Sequence, residues 1–175
     1  MTATSERLEQ FMARAEIHDV LYRYCHACDR RDWAMMKSVY HPGAIDNHNT
    51  FDGPADEFVD YLAVRFDQAF GLTQHHITNI NIEFHGDTAY VESYFIAFHR
   101  HKDDPNHDSQ TGGRYVDRFE TRDGKWLIAF RQVAVDWTAD IENLKPTDVS
   151  HKHRWGAFGD ADLSRQRLPE HRRPD

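Results

Sequence analysis

Two short segments, far apart in the chain, carry residue types suited to proton transfer. They are Tyr24 to Asp29 (YCHACD) and Thr73 to Asn79 (TQHHITN). The first places a carboxylate at the buried end of a helix, and the second places imidazoles at the start of a strand. An Asp–His pair in an apolar cavity is a general-base device, because the carboxylate fixes the imidazole tautomer and raises its basicity.

Asp29 lies four positions after Cys25 and eight after Leu21, so helical phase puts it on the apolar face. A carboxylate there is expensive unless it is paired. The other reading is a carboxylate at a helix end that points to water. Tyr24 is about 140° around the same helix from Asp29, so both can border one cavity. Its phenol could hold a substrate oxygen or act as an acid, or it could simply pack in the core.

His75 and His76 are adjacent and face opposite sides of a regular strand. His76 shares parity with Ile80, Ile82 and Phe84, while His75 shares it with Asn79 and Asn81. A bulge at the strand end would reverse the assignment. Tyr40, Tyr94, Phe98 and Trp137 are a supply of aromatic walls for a pocket. Arg118, between Asp117 and Glu120, reads either as a buried carboxylate or substrate partner or as a solvated charge. Thirteen histidines invite a metal hypothesis. His99-x-His101 has a compatible spacing, but no third ligand can be named, so no metal is expected.

These residues need elements to hold them. Residues 5–29 show helical spacing of Leu8, Phe11, Ile17, Leu21 and Cys28, with Thr4 or Ser5 as cap. Asp32 can cap a second short helix running to Tyr40, and His41-Pro42-Gly43 reads as a stop. Residues 44–51 form a short irregular strand, and Asp52-Gly53-Pro54 a turn. A third helix covers Ala55 to Phe70 and ends at Gly71. From Thr73 the period becomes two, with a hairpin turn at His85-Gly86-Asp87. Thr88 to His101 is a long aromatic strand, and Lys102 to Gly112 a polar loop. Arg114 to Thr121 and Trp126 to Trp137 form a last hairpin. Helices followed by long antiparallel strands make an α+β pattern. Three N-terminal helices packed on a curved, mainly antiparallel sheet would enclose an apolar pocket as a cone-shaped α+β barrel. The division expected is one domain over residues 1–145 and an extended or partly disordered arm over 146–175, where Trp155 and Phe158 hint at docking.

A chain of 175 residues is about one domain and needs no staple. The net charge of -8 argues against a nucleic-acid partner. Cys25 and Cys28 are spaced C-x-x-C, but they lack the second half of a zinc site and the βαβ context of a redox motif. Two reduced, packed thiols imply a reducing compartment. No apolar leader and no apolar run of about 18 residues is present, so a cytoplasmic protein with no membrane partner is expected.

Over about residues 6–140 the chain resembles the SnoaL-like branch of the NTF2-like superfamily. The resemblance rests on Tyr24 and Asp29 followed by Asp32-Trp33, on Tyr40-His41-Pro42 and on His75-His76-x-Thr78-Asn79. It rests further on Gly86-Asp87-Thr88-Ala89, on Gly113 to Phe119, and on Asp123-Gly124-Lys125-Trp126 with Asp136-Trp137. It implies a cone with a closed apolar pocket and chemistry without metal or organic cofactor. Family members include scytalone dehydratase, hexachlorocyclohexane dehydrochlorinase, bile acid 7α-dehydratase and formaldehyde-releasing lyases of lignin-derived diols. The resemblance assigns His75, rather than His76, as a base supported by Asp29, with Tyr24 as a third catalytic group. A second site tyrosine of the bile acid enzyme falls near His48. Its site Asp and Arg fall near Ala97 and Val135, so a bile-acid substrate is not implied. His48, His76 and Arg118 join the aromatic residues as candidate substrate contacts. The expectation is a cofactor-independent lyase acting on a small aromatic alcohol or diol, by dehydration or retro-aldol release. A non-catalytic binding protein or dioxygenase small subunit, and a polyketide-type cyclase, are the alternatives. A homotrimer or homodimer would cover the sheet's outer face.

Overall fold

The structure is a computed structural model. It describes residues 3–104, 107–142 and 156–165. Helix α1 spans Ala3–Arg30. Its second half buries Ile17, Leu21, Tyr24 and Cys28, each about 1% exposed or less. Its first half runs past the core, leaving Leu8, Phe11 and Met12 exposed. Arg31, left-handed at φ 56, turns the chain into α2 (Trp33–Lys37). Asp32 caps α2 by accepting from the Met35 amide at 3.0 Å, as expected for an N-cap carboxylate.

Strand β1 (Tyr40–Asn47) begins earlier than the sequence suggests. His41-Pro42-Gly43 does not stop the chain but lies within β1, at an irregularity in its pairing with β6. Asp52–Pro54 is not only a turn: it is β2, paired antiparallel to β1. Helix α3 (Ala55–Ala69) passes directly into β3 (Phe70–His85). Phe70 is already extended at φ -120, so Gly71 is a strand residue and not a helix cap. Strands β4 (Thr88–His101), β5 (His107–Arg122) and β6 (Lys125–Glu142) complete the sheet. The polar loop therefore ends at His107, because residues 107–112 pair with β6.

The strand order is β2-β1-β6-β5-β4-β3, antiparallel throughout except where β1 runs parallel to β6. Three helices pack on this curved sheet, giving the expected α+β cone. The two edge strands do not pair with each other, so the sheet is open and not a closed barrel. The core between helices and sheet holds Leu21, Phe58, Tyr115, Phe119 and Ile128. Each such side chain contributes roughly 1.5–3 kcal/mol of hydrophobic stabilisation. Towards the open end of the cone that packing gives way to a cavity. No helix among the described residues is long and apolar enough to cross a membrane.

Candidate active site

The last turn of α1 crosses β3, and this crossing joins the two segments singled out by sequence. Asp29 is 6% exposed, on the buried face that helical phase predicts. Its Oδ1 accepts from His75 Nδ1 at 2.7 Å and from the Thr73 hydroxyl at 3.1 Å. Its Oδ2 accepts the His75 backbone N–H at 2.8 Å. Burial alone would push this carboxyl up. The hydrogen bonds and charge of His75, with Thr73, outweigh burial and hold it below its ordinary value. A carboxylate on Nδ1 fixes the tautomer with the proton there and leaves the Nε2 lone pair available.

His75 lines a cavity of about 440 Å³. Phe66 stacks near it at 6.5 Å, and His99 stands edge-on at 5.5 Å. Burial, and then the neighbouring His75, push His99 down to about 3, so it stays neutral at physiological pH. The remaining wall mixes aromatic rings, Phe58, Phe70, Phe95 and Tyr115, with polar groups such as Arg65 and Thr111. Tyr24 also borders the cavity, its ring 5.6 Å from Tyr115 and 4.2 Å from the Arg131 guanidinium carbon. Burial, with Tyr40 beside it, raises the Tyr24 phenol well above its ordinary value. It is held protonated, a hydrogen-bond donor at neutral pH.

Two of the proposed substrate contacts lie on β1 and just after it. His48 lines the cavity, stacked on Phe58 at 4.5 Å. Tyr40 does not reach the cavity. It stands behind Tyr24, and its hydroxyl donates to Asp46 Oδ2 at 2.6 Å. Asp46, fully buried, also binds His48 Nδ1 at 2.8 Å.

Five expected contacts lie away from the cavity, each for a reason of strand parity. His76 is exposed, because β3 turns Thr73, His75 and Ile77 inward ahead of a bulge. Tyr94 and Phe98 sit at even positions of β4, whose inner face is Val91, Ser93, Phe95 and Ala97. Arg118 lies on the outer face of β5, half exposed and paired with Glu120 at 3.3 Å. Trp137 shares sequence parity with Val133 and Val135, but an extra residue in β6 opposite Gly112 and Gly113 reverses it. Thr138 therefore enters the cavity wall, while the Trp137 ring lies over Gly112 on the outer face.

The buried charges went unrecognised in the sequence. Arg131 and Asp117 are opposite each other on β6 and β5 and form a bidentate pair at 2.8 and 2.6 Å, fully buried. Asp46 is the third. A signal existed in each case: Asp117 has the parity of Tyr115 and Phe119, Arg131 that of Val133, and Asp46 that of His48.

Cys25 and Cys28 are buried free thiols. Burial and the nearby Asp29 push Cys25 up to about 12 and raise Cys28 well above its ordinary value, so neither is a thiolate nucleophile. Cys28, Asp29 and His75 offer ligand atoms within 4.8 Å of one another. Within that trio both Asp29 oxygens and His75 Nδ1 already bond each other or Thr73, and the Cys28 thiol is held protonated by burial. They fit a hydrogen-bonded pair better than a metal. His99 and His101 both line the cavity, and no third ligand converges on them among the described residues.

Part of the C-terminal arm docks beside this site. Residues 156–165 hold two 3-10 turns, and Asp162 accepts from Arg30 at 3.1 Å. The Phe158 ring lies 4.1 Å from the Arg31 guanidinium carbon, and Arg165 pairs with Asp32. Trp155 and the expected boundary at residue 145 fall outside the described residues.

The family profile for the SnoaL-like domain matches residues 9–132. Among solved structures, LinA is similar at 20% identity and a TM-score of 0.73, over 79% of this chain and 96% of its own. A hexachlorocyclohexane dehydrochlorinase, LinA type 2, is similar at 18% and 0.74, over 82% and 99%. A scytalone dehydratase-like protein from Novosphingobium aromaticivorans is similar at 21% and 0.69, over 81% and 97%. At these identities the likeness is one of fold. No curated protein matches the chain.

Proposed function

The chain belongs to the SnoaL-like domain family, and on that premise we propose that it is a cofactor-independent lyase acting on a small aromatic alcohol or diol. The observation that carries this is the Asp29–His75 pair, 2.7 Å apart at the wall of a cavity rich in aromatic rings. His75 Nε2 takes a proton from the substrate, and Asp29 orients the ring and stabilises the imidazolium that forms. Tyr24, kept protonated by burial, hydrogen-bonds the leaving or carbonyl oxygen. Proton removal from carbon expels water across a new double bond. Proton removal from a hydroxyl breaks a carbon–carbon bond and releases an aldehyde. Aromatic walls exclude water and make each charge count for more. General acid–base catalysis of this kind supplies about 10² to 10⁴-fold.

The fold neighbours include a protein named for removing hydrogen chloride and one named for removing water, both eliminations. The aromatic lining favours phenolic, lignin-type substrates, and a formaldehyde-releasing reaction on an aryl-propane diol falls in this class. Tyr94, Ile96, Val116 and Trp137 stand exposed on the outer sheet face, a surface that a homodimer or homotrimer would cover. Sedimentation velocity tests that assembly. A turnover screen on aryl-propane diols and β-hydroxy ketones tests the reaction, by ultraviolet absorbance and a formaldehyde assay. Turnover by the wild type, abolished in Asp29→Asn and His75→Ala, supports the lyase. Folded proteins that all leave every substrate untouched would overturn it in favour of a binding role.

A further inference from the structure

The cavity holds a second carboxylate–imidazole pair, built from the other end of the sheet. His48 follows β1, next to one edge strand, and His75 lies on β3, the opposite edge. Each ring has its Nδ1 on a buried carboxylate, Asp46 at 2.8 Å and Asp29 at 2.7 Å. Each leaves Nε2 without a protein partner among the described residues, and both rings line the cavity.

The surroundings of the two carboxylates differ. Asp29 receives the His75 backbone N–H and the Thr73 hydroxyl as well as the ring N–H. Three neutral donors satisfy its charge without a cation. Asp46 has one neutral donor, the Tyr40 hydroxyl, and otherwise only His48. It also faces a second carboxylate, Asp117, which burial first and then the charge of Asp46 push up. Asp117 shares that region with the single guanidinium of Arg131, which lies between the Tyr24 and Tyr115 rings. With both carboxylates ionised, the single guanidinium leaves one negative charge over. Uncompensated buried charge is costly, and a protonated His48 removes it. The remaining faces of His48 are Phe58 and Tyr115, which carry no charge.

We propose that His48, oriented by Asp46 at the cavity wall, is the proton donor to the leaving oxygen. This rests on the lyase reading above and completes it. In a dehydration, His75 Nε2 takes the proton from carbon, and those electrons form the double bond. The carbon–oxygen bond breaks, and the departing oxygen takes the His48 Nε2 proton to leave as water. Tyr24 holds that oxygen but, with its phenol raised so far, is a poor source of the proton. Paired groups whose environments drive them to opposite protonation states divide into acid and base.

Two measurements test this. The first is side-chain nitrogen NMR of the wild-type protein at neutral pH, with His48 and His75 assigned from His48→Gln and His75→Gln. Two ring protons on His48 and one, on Nδ1, on His75 are expected. A neutral His48 overturns the proposal, whatever substrate the enzyme takes. The second compares an aryl β-hydroxy ketone with its β-(para-nitrophenoxy) counterpart, whose leaving group needs no proton. His48→Gln should slow the first by about 10²-fold and leave the second nearly unchanged. Equal losses on both would assign His48 a merely structural role. Failure of the lyase reading is separately visible, because the folded wild type would then turn over neither compound.

Discussion

Asn79 sets the direction in which His75 faces. Its backbone is left-handed at φ 48, and the β3–β4 register slips at that point. Thr78 pairs with Tyr94 and Asn81 with Glu92, so β3 carries one extra residue there. Before the bulge His75 and Ile77 face inward, and after it Ile80, Ile82 and Phe84 do.

Asn tolerates the left-handed region and β-branched residues do not. Asn79→Gly should fold with unchanged stability, whereas Asn79→Val should lose about 1–2 kcal/mol. Urea unfolding of both variants reads the difference. A Val variant as stable as wild type would mean that the bulge is not under this backbone constraint.

The two neighbouring glycines of β5 differ in what a side chain would meet. A Cβ at Gly113 strikes the Ala134 carbonyl oxygen, which is backbone, and one at Gly112 strikes the Trp137 ring. The ring can turn away and the carbonyl cannot. Gly113→Ala should cost about 3 kcal/mol and Gly112→Ala about 1 kcal/mol. Only the latter should shift tryptophan emission. Thermal unfolding and fluorescence together check the order.

Arg131 and Asp117 are each fully buried, and Arg131 Nε and Nη2 satisfy both Asp117 oxygens while Nη1 has no hydrogen-bond partner among the described residues. Arg131→Met should destabilise by about 3–5 kcal/mol, because it strands Asp117 beside Asp46. The double variant Arg131→Met with Asp117→Leu should regain much of that loss. A double variant as unstable as the single one would show that the pair matters through packing instead.

The pH dependence of stability follows from His99. Its folded-state value, about 3, lies below the ordinary 6.5. The unfolded chain therefore takes up a proton first as the pH falls, and stability is lost between about pH 6.5 and pH 3. Asp29, with its value lowered, works the same way, losing its contribution as the pH falls through its folded-state value. His99→Phe should flatten the acid slope by up to about 1.4 kcal/mol per pH unit. An unchanged slope in urea titrations across that range would mean that His99 is not buried as a neutral ring.

Much of the site was legible because local periodicity encodes it. The phase of α1 put Asp29 on the buried face, and the family resemblance selected His75 over His76. Periodicity failed wherever a strand gained a residue. The bulge at Asn79 reversed the parity of His76, and the one opposite Gly112 and Gly113 turned Trp137 outward. Tyr94 and Phe98 offer aromatic rings, yet their even positions on β4 place them outside. Arg131 and Asp117 meet across the β5–β6 hairpin and Asp46 joins them from β1, a parallel neighbour distant in sequence, so parity marks each as inward-facing but not that the three meet. The open edge between β2 and β3 likewise depends on how far the sheet curls.

The proposed lyase requires that Asp29 and His75 act as one base. The most direct measurement is the rate of Asp29→Asn, His75→Gln and the double variant on one turned-over substrate. Asp29 acts only through His75 in this account, so the double variant should be no slower than His75→Gln alone. Losses that multiply in the double variant would contradict it, because Asp29 would then serve the reaction independently of His75.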